Sequence, residues 1–333
     1  MLPEVVKYLD EVRSHLHLDA LTERRVIGEL YTYFQEKVAD LQEQGLSEAE
    51  ATKEAIKSFG RARVVARLMY EAYSKGSWME ALIAALPHLI VAGLFATHLW
   101  RHPAPALGIF AILVGVTLGG WWHGKPNWLY SWIGYALLPL LITGFITWQM
   151  FTQAASSLLR GQGTPDTILS FALLFALYTL SLAIITSTTV RVVKRDWILA
   201  SLMLVPLPIL GIWLFNTERV GGLFQAGGTL LYQWDTAMAS VLMVLAVATA
   251  SFIRLRQRVL KAGALLTIGI LAGAIAADNI WGNPGFLGLL VTSLLLLLFL
   301  LSPALLEASI GHGEARTESW WSEEWLEHPS MIE

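Results

Sequence analysis

The chain has 333 residues, of which 55% are hydrophobic, 15% are charged and none is cysteine, with a formal net charge of −3. That apolar excess, with a mean hydropathy of +0.54, exceeds what a soluble globular domain carries. The lack of cysteine removes disulfides, thiolate nucleophiles and thiolate metal sites, and the slight acidity argues against a protein built to hold nucleic acid.

The apolar residues are unevenly spread. Residues 1–77 are charged and hold no long apolar run, whereas Ser77 to Leu306 is almost continuously apolar. Crossing the hydrocarbon core takes about 20 apolar residues per helix, so the second part has room for roughly eight crossings. The composition predicts an all-α chain in three parts. A small cytosolic helical module covers 1–77, a polytopic transmembrane bundle of about eight spans covers 78–308, and an acidic tail with Trp320, Trp321 and Trp325 covers 309–333. The opening MLPEVVKYLDEVRSHL contains acids and lacks the apolar region of a secretory signal, which predicts that the module stays in the cytosol.

Four helices are predicted in the module. Val6, Leu9, Val12 and Leu16 recur at helical spacing and give the first one an apolar stripe. The second runs from about Thr22 to Gln44, with Ile27, Leu30, Phe34, Val38 and Leu41 on one face and Gly45 as its stop. Ser47 with Glu50 has the form of a capping box. It opens a third helix that turns Ala51, Ala55, Ile56 and Phe59 inward and breaks at Gly60. The fourth, Arg61 to about Lys75, is expected to bury Val64, Val65, Leu68 and Met69. Charge on the module is mixed, and no single basic face of the kind that grips nucleic acid is visible. Arg61, Arg63 and Arg67 form the one local basic cluster and, being close to the first span, are read as an inner-leaflet contact.

Glu29-Leu30, Phe34, Gly45-Leu46-Ser47-Glu48-Ala49-Glu50-Ala51 and Phe59-Gly60 together form a pattern. It resembles the HAAS signalling domain, also met as the permease prefix domain, over residues 1–75 or so. Where that family often continues with Asp-Pro, this chain has Arg61-Ala62. The resemblance implies a bacterial, all-helical cytosolic adaptor fused to membrane domains, without catalytic residues, that touches a soluble regulatory protein. Glu29, Phe34, Arg61, Arg63 and Arg67 are the candidate contact residues.

The predicted spans are Glu80–Trp100, Ala104–Trp122, Trp128–Met150, Thr167–Val190, Trp197–Phe215, Thr236–Ile253, Ala262–Ala277 and Phe286–Leu306. Tryptophans cluster at their ends, as an interfacial belt requires. Arg191, Lys194 and Arg195 fall between spans four and five, and Arg254, Arg256, Arg258 and Lys261 between six and seven. Loops of the opposite parity carry far fewer cations. If basic loops stay inside, both termini are cytosolic and the span count is even, in agreement with the module. Gly115/Gly119 and Gly269/Gly273 would permit close helix packing. Pro206 and Pro208 make span five the one expected to be irregular.

Candidate chemistry is sparse. Glu80, Asp166, Asp196, Asp235 and Asp278 all fall near span ends, where a carboxylate is expected to reach water. His88 is the most buried titratable candidate. His98 and His102 would share a helix face if the helix continued, although Pro103 suggests that it ends. No second mid-span histidine matches His88, so neither haem nor a metal is expected, and no cofactor of any kind. The hydroxyls of Thr186 to Thr189 are expected to bond back to helix carbonyls. Gly221-Gly222 and Gly227-Gly228 lack the lysine of a phosphate loop, and the loop from Asn216 to Trp234 is long enough to cap a cavity. The sequence reading is a non-enzymatic, multi-pass protein of a bacterial cytoplasmic membrane, in contact with lipid. It acts in signalling or regulation, with a permease-like transporter or lipid-handling subunit as the alternative.

Overall fold

A computed structural model describes residues 3–123, 125–162, 165–219, 229–281 and 285–310. Residues 311–333 of the acidic tail, the Gly221-Gly222 and Gly227-Gly228 pairs and the rest of 220–228 lie outside the described residues, while the remaining parts of the expected 216–234 loop are helical. The described elements are all helical.

The module contains α1 (Pro3–His15), α2 (Ala20–Glu43), α3 (Glu48–Phe59) and α4 (Ala62–Tyr73). Each start has a local cause. Asp19 Oδ1 accepts the Thr22 N–H at 3.0 Å and caps α2. Ser47 and Glu50 form the reciprocal capping box that opens α3, which satisfies two backbone donors that a helix start leaves orphaned. Its apolar stripes meet in a core of Val5, Leu9, Val12, Leu16, Phe34, Ala51 and Ala55, all 0% exposed. Two expectations for α4 are corrected. Val64 and Leu68 are 46% and 53% exposed, and the buried face is Ala62, Val65, Ala66 and Tyr70. Small residues on that face let α4 approach α1, where a leucine would hold the helices apart.

Burial raises the Tyr8, Tyr31 and Tyr70 phenols above their ordinary value of 10.0. The Glu11 charge adds to this at Tyr8, and Asp196 adds to it at Tyr70. A phenol whose folded pKa is raised contributes stability in full below pH 10, and that contribution is lost as pH climbs through the folded value. The module is therefore expected to unfold on alkaline titration, with tyrosinate absorbance appearing together with loss of helical signal rather than before it.

Eight helices or helix pairs among the described residues are long and apolar enough to cross a membrane, which makes this a multi-pass α-helical membrane protein. Span 1 is α5 (Trp78–Ala96), and span 2 is α6 (Pro103–Trp122). Span 3 is broken into α7 (Leu129–Ala136) and α8 (Leu138–Leu159), and span 4 is α9 (Pro165–Val193). Span 5 is α10 (Trp197–Leu204) followed by α11 (Pro206–Arg219), with the break at Val205 before Pro206 as the prolines predict. Spans 6, 7 and 8 are α12 (Thr229–Arg254), α13 (Arg258–Trp281) and α14 (Gly285–Ile310). Span 5 is the central helix, with 78% of its most apolar window buried against 6% for span 4. Hydropathy alone does not separate these two, because lipid and protein interior are equally apolar.

The two glycine pairs part company. A Cβ on Gly269 would stand 2.5 Å from Leu300, and one on Gly273 would stand 3.1 Å from the Ser293 Cα, so this pair seats span 7 on span 8. A Cβ on Gly115 or Gly119 would meet nothing within 4 Å, so the expected packing role is not met among the described residues. The tightest approach is elsewhere: a Cβ on Gly134 would collide with the Met203 carbonyl oxygen, where spans 3 and 5 cross. Gly134→Val is expected to cost about 1–3 kcal/mol through overpacking, read as a fall in thermal unfolding temperature.

Candidate functional site: polar links along spans 1 and 6

Spans 1 and 6 run antiparallel and form the most extensive helix pair among the described elements. Polar contacts tie them, or their neighbours, at three depths.

The first lies at the end of the bundle next to the module. The strand of chain leaving α4 is held on the turn between spans 6 and 7. Gly76 N–H donates to the Ile253 carbonyl at 3.0 Å, and Arg254 donates to the Gly76 carbonyl at 2.9 Å. Ser74 Oγ donates to the Arg256 carbonyl at 2.9 Å. Lys261 Nζ donates to the Ser74 carbonyl at 3.3 Å and lies over the Tyr70 and Phe252 rings. Asp196, which caps α10 through the Ile198 N–H at 3.0 Å, also receives Arg258 at 2.9 Å. The turn between spans 4 and 5 is thereby tied to the turn between spans 6 and 7. Burial raises the Asp196 carboxyl above its ordinary range, while Arg258 and the α10 N–H pull it back. Arg195 donates to Tyr130 Oη at 2.6 Å and to the Lys125 carbonyl at 2.9 Å, which brings span 3 into the same group.

The second is at mid-depth. His88 stands ten residues into span 1, about 15 Å along the helix at 1.5 Å per residue. It is 0% exposed. Its Nδ1 pairs with Tyr135 Oη of span 3 at 2.7 Å, and its Nε2 pairs with Thr249 Oγ1 of span 6 at 2.9 Å. A hydroxyl beside an imidazole is the raw material of a nucleophile and base, but neither of the two clefts described below reaches it. It serves as a three-helix junction. His88→Leu, which leaves two buried hydroxyls without their partner, is expected to cost about 1–3 kcal/mol, read from thermal unfolding in detergent.

The third is at the far end. Asp235, at the start of span 6, is 0% exposed. Its Oδ2 receives His98 Nδ1 at 2.8 Å and Trp100 Nε1 at 2.9 Å, with Arg101 at 3.7 Å. Its Oδ1 receives Trp213 Nε1 of span 5 at 3.4 Å. His98 sits at φ 56°, a left-handed conformation that non-glycine residues rarely adopt. That turn ends the span 1 helix and aims the imidazole at Asp235.

The sequence-predicted residues fare unequally. His88 and His98 are both engaged, in separate junctions. His98 and His102 do not share a helix face, because the chain turns at His98. Asp196 and Asp235, expected to reach water, are buried instead, each satisfied by cationic or indole donors. Phe34, a candidate contact residue, is wholly buried between Tyr8 and Phe59 and presents no surface, because its stripe is the module core. Glu29 is exposed and accepts from Tyr73 Oη at 3.1 Å, and Arg63 Nε donates to His15 Nε2 at 2.9 Å. Arg61 and Arg67 are exposed as well. Ser187 and Thr189 bond back to helix carbonyls as expected. Sequence reasoning missed Tyr135 and Thr249, which carry no signal of their own. It also read Arg254, Arg258 and Lys261 only as loop charge. Among the described residues no cluster of three metal-ligating side chains occurs.

Two clefts border these links. An apolar one lies between spans 5, 6 and 7, lined by Ile209, Trp213, Asn216, Trp234, Met238 and Ala272 among others. A more polar one lies where the module meets the bundle.

Fold and site thus define the class: a multi-pass α-helical membrane protein whose N-terminal helical module is fastened to the bundle by hydrogen bonds. Compared with known proteins, the chain matches no family model, no curated protein and no solved structure.

Proposed function

We propose that this is a non-enzymatic signalling or regulatory protein of a bacterial cytoplasmic membrane, with both termini in the cytosol. In this reading the HAAS-like module relays the state of the bundle to a soluble partner. The observation that carries it is the junction at Ser74–Gly76. Four hydrogen bonds between that segment and residues 253–261 make the module's position depend on spans 6 and 7. A movement of span 6 or 7 shifts the module's foothold, and the module's exposed face, with Glu29, Arg61, Arg63 and Arg67, displays the change. The basic residues of the turns at Arg191–Arg195 and Arg254–Lys261 support this sidedness. A photo-crosslinking residue placed at Arg67 or Glu29 of the full chain in native membranes is expected to capture one soluble protein reproducibly. Capture of lipids and general chaperones alone would overturn the relay.

The apolar cleft between spans 5, 6 and 7 favours a second reading, a lipid-handling or permease-like subunit. That reading expects Met238→Trp, which fills the cleft, to abolish lipid movement in proteoliposomes. The relay expects it to leave partner capture intact.

A further inference from the structure

We propose that the polar cleft between the module and the bundle is a binding site for a phosphate group, with Lys261 as its principal ligand-binding residue. The inference goes beyond the relay, since the site would exist whether or not a partner engages the module.

Lys261 lines this cleft and is only 5% exposed. Its ammonium has three N–H donors, and among the described residues its hydrogen-bond acceptor is the Ser74 carbonyl, at 3.3 Å. The rings of Tyr70 and Phe252, 5.2 and 5.4 Å away, offset part of its lost hydration, but they take no proton. No carboxylate is in direct ion-pair contact with it among the described residues, although the Asp196 charge acts on it from farther off. The two carboxylates that line the cleft are already committed. Asp196 Oδ1 holds Arg258 at 2.9 Å and the Ile198 N–H at 3.0 Å. Glu80 Oε2 accepts the Ser77 N–H at 2.6 Å in the capping box that opens span 1. A buried cation with unspent donors is costly unless something anionic meets it.

The rest of the lining fits an oxyanion with an apolar neighbour. Asn127 adds an amide to the lining, and Trp128, Ile198 and Ile253 add apolar surface. Lys261 lies in the first turn of span 7, and Trp78 and Trp128 open spans 1 and 3 nearby, so the cleft sits at headgroup depth. At that depth a phosphate is carried either by a phospholipid headgroup or by a small soluble compound, and both use the same chemistry. An occupant wedged here touches α4 through Tyr70 and Ser74 and the bundle through Lys261 at once.

The test uses the full chain in a non-ionic maltoside detergent, which carries no phosphate, and follows thermal unfolding in two arms at constant ionic strength. One adds inorganic phosphate against a chloride control, and the other adds phosphatidylglycerol to the micelles. Stabilisation in the first arm identifies a soluble phosphate, and stabilisation only in the second identifies a headgroup. In either case Lys261→Met should weaken the apparent affinity by about tenfold or more, and Lys261→Arg should retain most of it. Asn127→Leu, which leaves the buried ammonium in place, should give an intermediate loss and serves if Lys261→Met fails to fold. A wild-type protein that responds to neither arm would overturn the assignment, as would variants that respond as the wild type does.

Discussion

Asp235→Ala is expected to destabilise the bundle by about 3–5 kcal/mol, the range for removing one partner of a buried charge pair. The carboxylate is fully buried, is the common hydrogen-bond partner of His98, Trp100 and Trp213, and forms an ion pair with Arg101. Its loss takes that acceptor from two indole N–H groups and removes the carboxylate that stands 3.7 Å from the Arg101 guanidinium. The left-handed turn at His98 would then lack the contact that holds it. Asp235→Asn keeps the shape and one oxygen acceptor but not the charge, so it is expected to fall between wild type and alanine. Unfolding by heat or denaturant in detergent checks the order. If all three proteins unfold alike, the far-end cluster does not contribute to stability.

Asp196→Ala is the second large expected effect, and it differs in kind. It removes the cap of α10 and the partner of Arg258 together. A cap contributes about 0.5–2 kcal/mol, and breaking the buried pair adds to it. Arg258 is 26% exposed on its side chain, so water recovers part of that loss. The more telling readout is local. The turns between spans 4 and 5 and between 6 and 7 separate, and the Ser74–Gly76 segment rests on the second of them. Backbone amides of residues 74–77 are therefore expected to exchange hydrogen faster in Asp196→Ala, while those of α2 and α3 keep their protection. In a double-mutant cycle, Asp196→Ala and Arg258→Ala should be non-additive.

Much of this architecture was legible from composition and periodicity. The break near Ser77, the capping box at Ser47, the stop at Gly45 and the irregular span 5 follow from local chemistry, and local chemistry is written in adjacent residues. The face of α4 was misjudged because Val64 and Leu68 fit an apolar stripe as well as Ala62, Val65 and Ala66 do, and only the fit against α1 chooses between them. The carboxylates were misjudged for a similar reason. A position near a span end suggests access to water, but Asp235 is roofed by Trp100 and Trp213, residues far from it in the chain. The partners of His88 were invisible because a tyrosine and a threonine in apolar helices look like any other packing residues until three spans are brought together.

The central claim is that residues 74–76 rest on the turn between spans 6 and 7. The chain has no cysteine of its own, so paired cysteines report on this directly. Ser74→Cys with Arg256→Cys, in the full protein in native membranes, is expected to cross-link efficiently with a short thiol reagent. His15→Cys with Arg63→Cys, a pair in hydrogen-bond contact within the module, serves as the internal standard. Comparable yields for the two pairs are the predicted result. Cross-linking of the 15–63 pair with none at 74–256 would show a module detached from the bundle and contradict the account.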